Sequence, residues 1–298
     1  MYNYSYYLPR MSQYVLPYAH EQGTWVLLSI NGVDVLYENA FETICSNDDL
    51  LDTFINNIIG LINTYGFDGV DIDWEVPSDG ALFTKLMKKL YSAVKENNSN
   101  HLVTAAIGGG QWQPPYYDLE NSAQYIDYIN MMTYNMATDN GNHHTALNKS
   151  SNYHNSNYKV GRTLASCSIE ESISIYNDYG VSNNKIIIGA AFYGILQTWG
   201  YNEDTLKDQW NYSSNPSYSK IIQEYLNKEN YTYYYDSNAN APYLLSDDGL
   251  IFISYDDETS IIAKCNYANT NGLAGVFAWN CTLDYNDTLL STIYNGLK

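Results

Sequence analysis

The sequence predicts an α/β protein of the TIM (β/α)8 barrel type, because short apolar runs alternate with amphipathic helical patterns along most of its 298 residues. Such alternation is typical of parallel strands covered by helices. Apolar runs such as the isoleucines that follow Lys185 suit strands that are covered on both faces. No Gly-x-Gly-x-x-Gly motif opens a helix after the first strand, which makes a nucleotide-binding open sheet the weaker choice.

Six segments have the composition of strands, and helical patterns separate most of them. The strand candidates are residues 25–29, 69–74, 102–107, 128–133, 186–192 and 275–279. Apolar residues at helical spacing predict helices that begin near residues 11, 50, 82, 169 and 258. Ser46 and Asp49 have the spacing of a capping box at the start of the second of these helices, and Gly66 stands where that helix ends.

The number of strand candidates is too small for a complete barrel, which needs eight strand–helix units. Only residues 1–24 precede the first candidate, and residues 11–21 have the pattern of the helix before it. We therefore expect an incomplete barrel that lacks its first two strands. The missing part, together with a signal peptide, would lie upstream of Met1 in a longer protein, or the chain is an altered protein in its own right.

One long segment interrupts the alternation of strands and helices. Residues 196–254 are rich in Tyr, Asn, Ser and Asp, and the segment is too long for a plain connection between a strand and a helix. We expect it to form a small inserted α+β subdomain before the last strand, within a single barrel domain that spans residues 1–298.

The decapeptide from Gly66 to Glu75, Gly-Phe-Asp-Gly-Val-Asp-Ile-Asp-Trp-Glu, is the most informative part of the chain. Asp71, Asp73 and Glu75 alternate with apolar residues, so in a strand all three carboxyls project from one face, about 6–7 Å apart. Like charges in a buried setting raise at least one pKa and store a proton near neutral pH. A stored proton beside an ionised carboxylate is the equipment for general acid catalysis.

Two other interpretations of these acids are weaker. A calcium-binding loop needs a Gly at its sixth position and a Glu at its twelfth, which this run does not offer in register. A strand face exposed to water would not alternate so regularly with Val70, Ile72 and Trp74. The acids stand at the carboxyl end of their strand, which is where barrels of this type build their active sites.

Beyond these residue arguments, the run Asp68-x-x-Asp71-x-Asp73-x-Glu75 resembles the signature of glycoside hydrolase family 18, the chitinases and their relatives. The resemblance covers nearly the whole chain. The chain departs from the family pattern where Asn31, Asn135 and Ile195 replace a Gly, an Asp and an Arg. Five further segments resemble family motifs, in the family's order: Ser29-Ile-Asn-Gly, Met132-Thr-Tyr-Asn, Phe192-Tyr-Gly, Phe252-Ile-Ser-Tyr-Asp-Asp and Gly272-Leu-Ala-Gly-Val-Phe-Ala-Trp.

The resemblance implies a retaining glycosidase that hydrolyses β-1,4-linked N-acetylglucosamine polymers by a substrate-assisted route, in which the sugar's own acetamide attacks its anomeric carbon. It implies that Glu75 is the acid and base, that Asp73 orients the acetamide, and that Asp71 shares a proton with Asp73 and keeps the pKa of Glu75 high. It implies further that Tyr134 hydrogen-bonds the acetamide carbonyl and that Asn135 lies near the same sugar.

The same resemblance implies which side chains contact the sugar chain. Trp279 would stack beneath the sugar ring. Chitin or an N-acetylglucosamine oligosaccharide is the expected partner, and neither a metal ion nor an organic cofactor is expected. Further candidate contacts to the substrate are Trp112, Tyr116, Trp199, Tyr193 and Met132.

Composition limits the partners of the chain. The net charge of −19 and the pI near 4.3 argue against nucleic acid or an anionic membrane, and no apolar run is long enough to span a bilayer. The family usually acts outside the cell, so we expect a secreted, extracellular monomer. Cys45, Cys167, Cys265 and Cys281 lack metal-ligand spacing and could form two disulfides or none.

Two alternatives stay open at this point. The missing strands, Asn31 and Ile195 favour a catalytically weak, lectin-like glycan-binding module on the same scaffold, whereas Glu75 favours an enzyme. An endo-β-N-acetylglucosaminidase that acts on N-glycans is the second alternative, although the preserved insertion favours chitin.

Overall fold

The structure is a computed structural model that describes residues 4–32, 40–138, 141–150 and 167–298. The chain groups into two compact units. The first unit comprises residues 1–107, 112–130 and 179–181, and the second comprises residues 108–111, 131–178 and 182–298. The sequence-based expectation of one domain over residues 1–298 stays a prediction.

Parallel strands form the centre of the first unit. They are β1 (Leu28–Asn31), β2 (Gly69–Asp73), β3 (Leu102–Gly108) and the first residues of β4 (Tyr128–Met132), in the order β1-β2-β3-β4. β1 pairs with β2 in parallel, with Ser29 opposite Asp71 and Asn31 opposite Asp73. β2 pairs with β3 in parallel, with Asp71 opposite Thr104. The register therefore places polar side chains of three strands side by side.

The helices before and after β2 each bury one apolar side, as the spacing of three and four residues between their apolar positions predicts. None of the helices within the described ranges is long and apolar enough to cross a membrane. A π-helical turn lies at Met11–Val15, and 3-10 turns lie at Pro114–Tyr117 and Ala123–Tyr125. The helices of this unit are α1 (Tyr4–Arg10), α2 (Leu16–Glu21), α3 (Ala40–Cys45), α4 (Asp48–Tyr65), α5 (Gly80–Asn97) and α6 (Leu119–Ser122).

The start of α4 differs from the sequence-based prediction, and its end agrees with it. Asn47 is the N-cap, because its side chain accepts a hydrogen bond from the backbone N–H of Leu50 at 3.1 Å. The capping box predicted from Ser46 was therefore wrong: an Asn caps as well as a Ser, and spacing alone does not choose between neighbouring polar residues. The helix ends at Gly66, whose φ of 83° lies in the left-handed region that glycine favours.

The second unit contains two further parallel strands. β5 (Ile186–Ala191) and β11 (Gly275–Trp279) pair along the whole of β11. The residue after β4 is bonded to β5, since Thr133 Oγ1 accepts from Gly189 N–H at 2.8 Å and donates to Gly189 O at 2.9 Å. Short 3-10 turns lie at Asn183–Lys185 and Cys281–Leu283. The helices of this unit are α7 (Ile169–Asp178), α8 (Tyr218–Lys220), α9 (Glu258–Asn271) and α10 (Thr288–Gly296).

An antiparallel sheet follows β5 in the second unit and corresponds to the α+β insertion that the sequence predicts. Its order is β7-β6-β10-β9-β8. α8 and a π-helical turn at Ile221–Tyr225 pack on it, and Ile221 belongs to the same apolar cluster as Leu196, Leu244 and Ile253. The strands are β6 (Ile195–Asn202), β7 (Lys207–Ser214), β8 (Tyr231–Asp236), β9 (Ala241–Ser246) and β10 (Ile251–Ser254).

All six strand candidates form strands, but several ends are shifted. β1 begins at Leu28, and the exposed Trp25 lies before it. β2 ends at Asp73, where its pairing with β1 ends, so Trp74 and Glu75 lie beyond the strand. Alternation of apolar and polar side chains continues past the hydrogen-bonded ladder, and for this reason the pattern does not mark where a strand stops.

The residues of β1 and β11 are partly or fully exposed, as is expected of strands at a sheet edge. Among the described residues, each has one strand neighbour within its own unit, β2 for β1 and β5 for β11. Every residue of β11 is at least partly exposed, whereas five of the six residues of β5 are buried. Six parallel-type strands are present among the residues that the structure describes, in agreement with the number of strand candidates.

The four cysteines are free thiols, which answers the question that the sequence left open. Cys45 and Cys265 are buried, Cys167 is partly buried and Cys281 is exposed. Burial raises the pKa of the Cys45 thiol to about 12. The fold of the described residues therefore depends on packing and hydrogen bonds and not on disulfides.

Two glycines, one within α4 and one at its C-cap, test where this helix ends. Gly60 lies on the exposed side of the helix, where an added Cβ would meet no atom within 4 Å. Gly60→Ala is expected to raise the free energy of unfolding by about 0.5–1 kcal/mol, because Ala loses less conformational entropy in a helix. Gly66→Ala, at a left-handed position, is expected to lower it by about 1 kcal/mol. Urea denaturation measures both, and changes of the same sign would contradict the assigned helix end.

Candidate active site

Asp71 lies within β2 and is held by side chains of the neighbouring strands. Ser29 Oγ donates to Asp71 Oδ2 at 3.0 Å. Thr104 Oγ1 and Asn130 Nδ2 donate to Asp71 Oδ1 at 2.5 Å and 3.1 Å. These donors come from β1, β3 and β4, so three strands fix the orientation of one carboxylate.

Asp73 ends β2 and is buried, with 8% of its surface exposed. Its Oδ2 accepts a hydrogen bond from Asn31 Nδ2 at 2.8 Å. Burial raises the pKa of Asp73; the bond from Asn31 opposes this shift and the charge of Asp71 adds to it. Within the part of the chain that the structure describes, the buried Asp73 Oδ1 has no hydrogen-bond partner. This oxygen is therefore available to accept a proton.

Glu75 faces Asp73 from a bend beyond the end of β2, so the prediction that all three acids share one strand face was wrong for this residue. The pKa of Glu75 is raised from 4.5 to about 7. Loss of water around the carboxyl is the largest cause, followed by the charge of Asp73 and a hydrogen bond between the two carboxyls. Part of the Glu75 side chain is exposed, and a proton stored there is accessible to a ligand.

The position of Glu75 depends on how Trp74 is anchored. The Trp74 side chain is buried, and its ring stacks on Phe41 with centroids 4.9 Å apart. The Trp74 carbonyl accepts a hydrogen bond from the Tyr117 hydroxyl at 2.8 Å. Trp74, the residue between the two acids, is therefore held through both its side chain and its backbone carbonyl.

In the second unit, the structure brings together three of the predicted site residues around the end of β4. Tyr134 is buried, and its ring makes edge contacts with Tyr193 at 6.0 Å and Phe277 at 5.9 Å between centroids. Met132 packs against the same cluster. Tyr134 is thus held by aromatic contacts on two sides.

Asn135 follows Tyr134 and has two hydrogen-bonded partners. The Tyr193 hydroxyl donates to Asn135 Oδ1 at 2.9 Å. The backbone N–H of Asn135 donates to His144 Nδ1 at 3.3 Å. The φ of Asn135 is 54°, in the left-handed region where Asn is one of the few tolerated residues.

His144 is a partner that the sequence analysis did not identify. It is completely buried, and burial, followed by the charge of Lys264 and the neighbouring His143, lowers the pKa of His144 to about 3. The imidazole is therefore neutral at physiological pH, which leaves Nδ1 free to accept the Asn135 N–H. No local sequence pattern distinguishes such a His from one in an exposed loop.

The donors to Asp71 were missed as well, although the sequence contains a signal for two of them. Thr104 and Asn130 are polar residues inside otherwise apolar strands, Leu-Val-Thr-Ala-Ala-Ile and Tyr-Ile-Asn-Met-Met. A polar side chain at such a position needs a partner when it is buried. Here the partner of both is the Asp71 carboxylate, which lies opposite Thr104 in the register of β2 and β3.

The predicted aromatic platforms differ in exposure. Trp112 of the first unit and Trp279 of the second are 72% and 51% exposed, so both present ring surface to solvent. Tyr116 is exposed too. Trp199 is partly buried against the edge of the Trp210 ring, with centroids 5.8 Å apart, which leaves it less surface to offer.

With this geometry established, comparison with known sequences identifies the family. The family model described as Glycosyl hydrolases family 18 matches residues 10–284. The chain belongs to this family. Its fold class is accordingly the TIM-type α/β barrel that the sequence predicts, with the strands described above.

Curated relatives of this chain include chitinases. Chitinase A1 of Niallia circulans is 28% identical over 288 residues, which cover 85% of this chain and 40% of the relative. A probable endochitinase of Caenorhabditis elegans is 30% identical over 256 residues, which cover 78% of this chain and 39% of the relative. The chain therefore spans about two fifths of the length of these two relatives.

Solved structures of similar fold include an N-acetylglucosaminidase and an agglutinin. A family 18 N-acetylglucosaminidase from Paenibacillus barengoltzii has a TM-score of 0.77 and 29% identity, and the match covers 95% of this chain and 86% of that one. A chitinase-like agglutinin from Robinia pseudoacacia has a TM-score of 0.76 and 26% identity, with 97% and 85% covered. A group IV chitinase of Ostrinia furnacalis, with a TM-score of 0.82, 21% identity and coverage of 99% and 86%, shows the fold alone.

The place of Tyr134 depends on a glycine in β5. A Cβ on Gly189 would lie 2.8 Å from Cε1 and 2.9 Å from Cδ1 of the Tyr134 ring. Gly189→Ala is therefore expected to displace the ring and to lower the free energy of unfolding by about 1–3 kcal/mol. Gly200→Ala in β6 is the matched control, because its Cβ would meet nothing within 4 Å. Urea denaturation compares the two, and an equal effect of both substitutions would refute the close approach.

Proposed function

We propose that the protein hydrolyses β-1,4-linked N-acetylglucosamine polymers, chitin or chitooligosaccharides, with retention of configuration. Membership of family 18 and similarity to relatives named as chitinases support this substrate class. The observation that carries the proposal is the Glu75 carboxyl, whose raised pKa of about 7 lets it hold a proton near neutral pH beside the buried Asp73. Such a group can act first as an acid and then as a base.

The reaction takes place in two steps. In the first, the acetamide oxygen of the substrate attacks its own anomeric carbon, the bond from that carbon to the glycosidic oxygen breaks, and Glu75 gives its proton to the leaving oxygen. In the second, the ionised Glu75 takes a proton from water, whose oxygen attacks the same carbon and restores the acetamide. Two inversions at one carbon give net retention, without a nucleophile from the protein.

The two aspartates would support the acetamide and the acid. Asp73 would orient the acetamide and stabilise the positive charge that develops on its nitrogen, and its buried Oδ1 supports this role. Asp71 would share a proton with Asp73. The three hydrogen-bond donors to Asp71 support a positioning role for Asp71. The charge that raises the pKa of Glu75 is that of Asp73.

Residues of the second unit would bind the sugar. Tyr134 would donate a hydrogen bond to the acetamide carbonyl, and Met132 and Tyr193, which pack around it, would shape that position. Asn135 would contact the same sugar unit. The exposed ring of Trp279 would stack beneath the sugar, since aromatic faces favour contact with apolar surface.

The remaining expectations about partners are proposals of the same kind. The exposed Trp112 would contact a further sugar of a chitin or N-acetylglucosamine chain. The extracellular location, the monomeric state and the lack of nucleic acid and membrane partners stay predictions from the sequence. Cleavage of N-glycans, as an endo-β-N-acetylglucosaminidase would perform, is tested by the same assays with a glycopeptide substrate.

A lectin is the second candidate function, and one finding favours it. The chitinase-like agglutinin of Robinia pseudoacacia has nearly the same fold similarity to this chain as the N-acetylglucosaminidase has. A lectin would bind N-acetylglucosamine oligomers without cleaving them. The accessible, raised-pKa carboxyl of Glu75 favours the enzyme, because binding alone does not need a stored proton.

Replacement of Glu75 separates the two functions. Glu75→Gln is expected to lower kcat on a fluorogenic chitotriose substrate by about 10²–10⁴-fold, because an amide cannot deliver the proton, while calorimetry still detects oligosaccharide binding. Glu120→Gln, an exposed residue of α6, is the matched control and should leave kcat unchanged. Binding without turnover in the unsubstituted protein would support the lectin instead, and equal turnover in both Gln variants would exclude Glu75 as the acid.

The pH profile tests the origin of the raised pKa. Because the acid must be protonated, kcat/KM is expected to fall as pH rises through about 7. Asp73→Asn removes the charge that raises the pKa of Glu75, so this falling limb should move to lower pH. Asp71→Asn serves as the control and should move it less, since the charge of Asp73 is the main charge acting on Glu75. A limb at the same pH in all three proteins would assign it to another group.

A further inference from the structure

The side chain of Asn135 has a fixed orientation. Its Oδ1 accepts from the Tyr193 hydroxyl at 2.9 Å, and its backbone N–H is bonded to His144 Nδ1 at 3.3 Å. The Asn135 amide oxygen therefore lies toward Tyr193. Asn135 is exposed, so a ligand can reach its side chain.

The two partners of Asn135 are themselves buried and in contact with further residues. Tyr193 is buried, and its ring contacts Tyr134 at 6.0 Å and His144 at 5.4 Å between centroids. His144 is buried too, and its backbone N–H donates to Ser254 Oγ at 3.1 Å. Both partners belong to the core of the second unit, so the Asn135 side chain is held beside Tyr193.

The polar group that Asn135 offers a ligand is an uncharged donor. The family pattern places a carboxylate at this position, which would offer only acceptors and a negative charge. The two side chains have nearly the same shape, and both tolerate the left-handed backbone of residue 135. They differ most in how they interact with a cationic ligand, which the carboxylate attracts and the amide does not.

We propose that Asn135 is a specificity-determining residue that favours neutral, N-acetylated sugar units over deacetylated, cationic ones. The amide donates a hydrogen bond to a carbonyl or hydroxyl oxygen of an N-acetylglucosamine unit and gives no attraction to the ammonium group of a glucosamine unit. The inference rests on the proposed function in one respect, the identity of the ligand, and it concerns binding and not turnover.

Binding of two trisaccharides tests this inference directly. The probes are chitotriose and its fully deacetylated counterpart, titrated by calorimetry at about pH 5.5, where an Asp is ionised. Glu75→Gln is the background in every protein, so that no ligand is cleaved. Adding Asn135→Asp is expected to tighten binding of the deacetylated ligand by about three- to tenfold relative to chitotriose. Adding Asn135→Gly, which suits the same φ, should weaken chitotriose without improving the deacetylated ligand.

The outcomes separate this inference from the proposed function. If chitotriose binds and the ratio of the two dissociation constants is the same with Asn and Asp at residue 135, the specificity role is refuted while the proposed function stands. If neither trisaccharide binds the protein with Asn135 intact, both proposals fall. Thermal unfolding of each variant shows whether a change in binding reflects loss of structure, and a ratio that shifts in a variant with unchanged Tm supports the role of the side chain.

Discussion

The contact between the carboxyls of Asp73 and Glu75 is the constraint on which the chemistry of the first unit depends. Asp73 is buried, and its charge together with the loss of water raises the pKa of Glu75 to about 7. The surrounding residues maintain this contact: Asn31 bonds Asp73 from β1, and Tyr117 holds the carbonyl between the two acids. A raised carboxyl pKa means that the charged form is disfavoured in the folded state, and shifts of this kind are common where proteins perform acid–base chemistry.

In the second unit, the neutral side chain of Tyr134 is held by residues of β5. Gly189 leaves the space that the Tyr134 ring occupies, and Thr133 binds the backbone of the same glycine with both its donor and its acceptor. At the end of β5, the backbone N–H of Ala191 donates to the Asp256 carboxylate. Asp256 also forms a buried ion pair with Lys264 of α9, 2.6 Å apart, so it links the strand to this helix. The segment that carries Tyr134 is therefore bound to rigid elements, which is what precise placement of a hydrogen-bond donor requires.

Much of the fold could be predicted because the relevant signals are local. Apolar residues at helical spacing predicted the helices before and after β2. The composition of short segments located each parallel-type strand, but the predicted β2 extended past Asp73 to Trp74. Motif resemblance singled out the three acids as candidates, but it did not show that Glu75 meets Asp73 from a bend. The donors to Asp71 depend on the register between strands far apart in sequence, and the bond of His144 to Asn135 depends on tertiary packing. Neither kind of contact has a signature within one segment.

Direct titration of the Glu75 side chain tests the central claim most sharply. Carboxyl carbons of glutamate can be labelled with ¹³C, and the Glu75 signal can be assigned by its loss in the Gln variant. We expect a midpoint near pH 7 in the unsubstituted protein and a lower one when Asp73 is replaced by Asn. A midpoint near the ordinary value of 4.5 in both proteins would show that Glu75 stores no proton at neutral pH and would rule out the proposed acid.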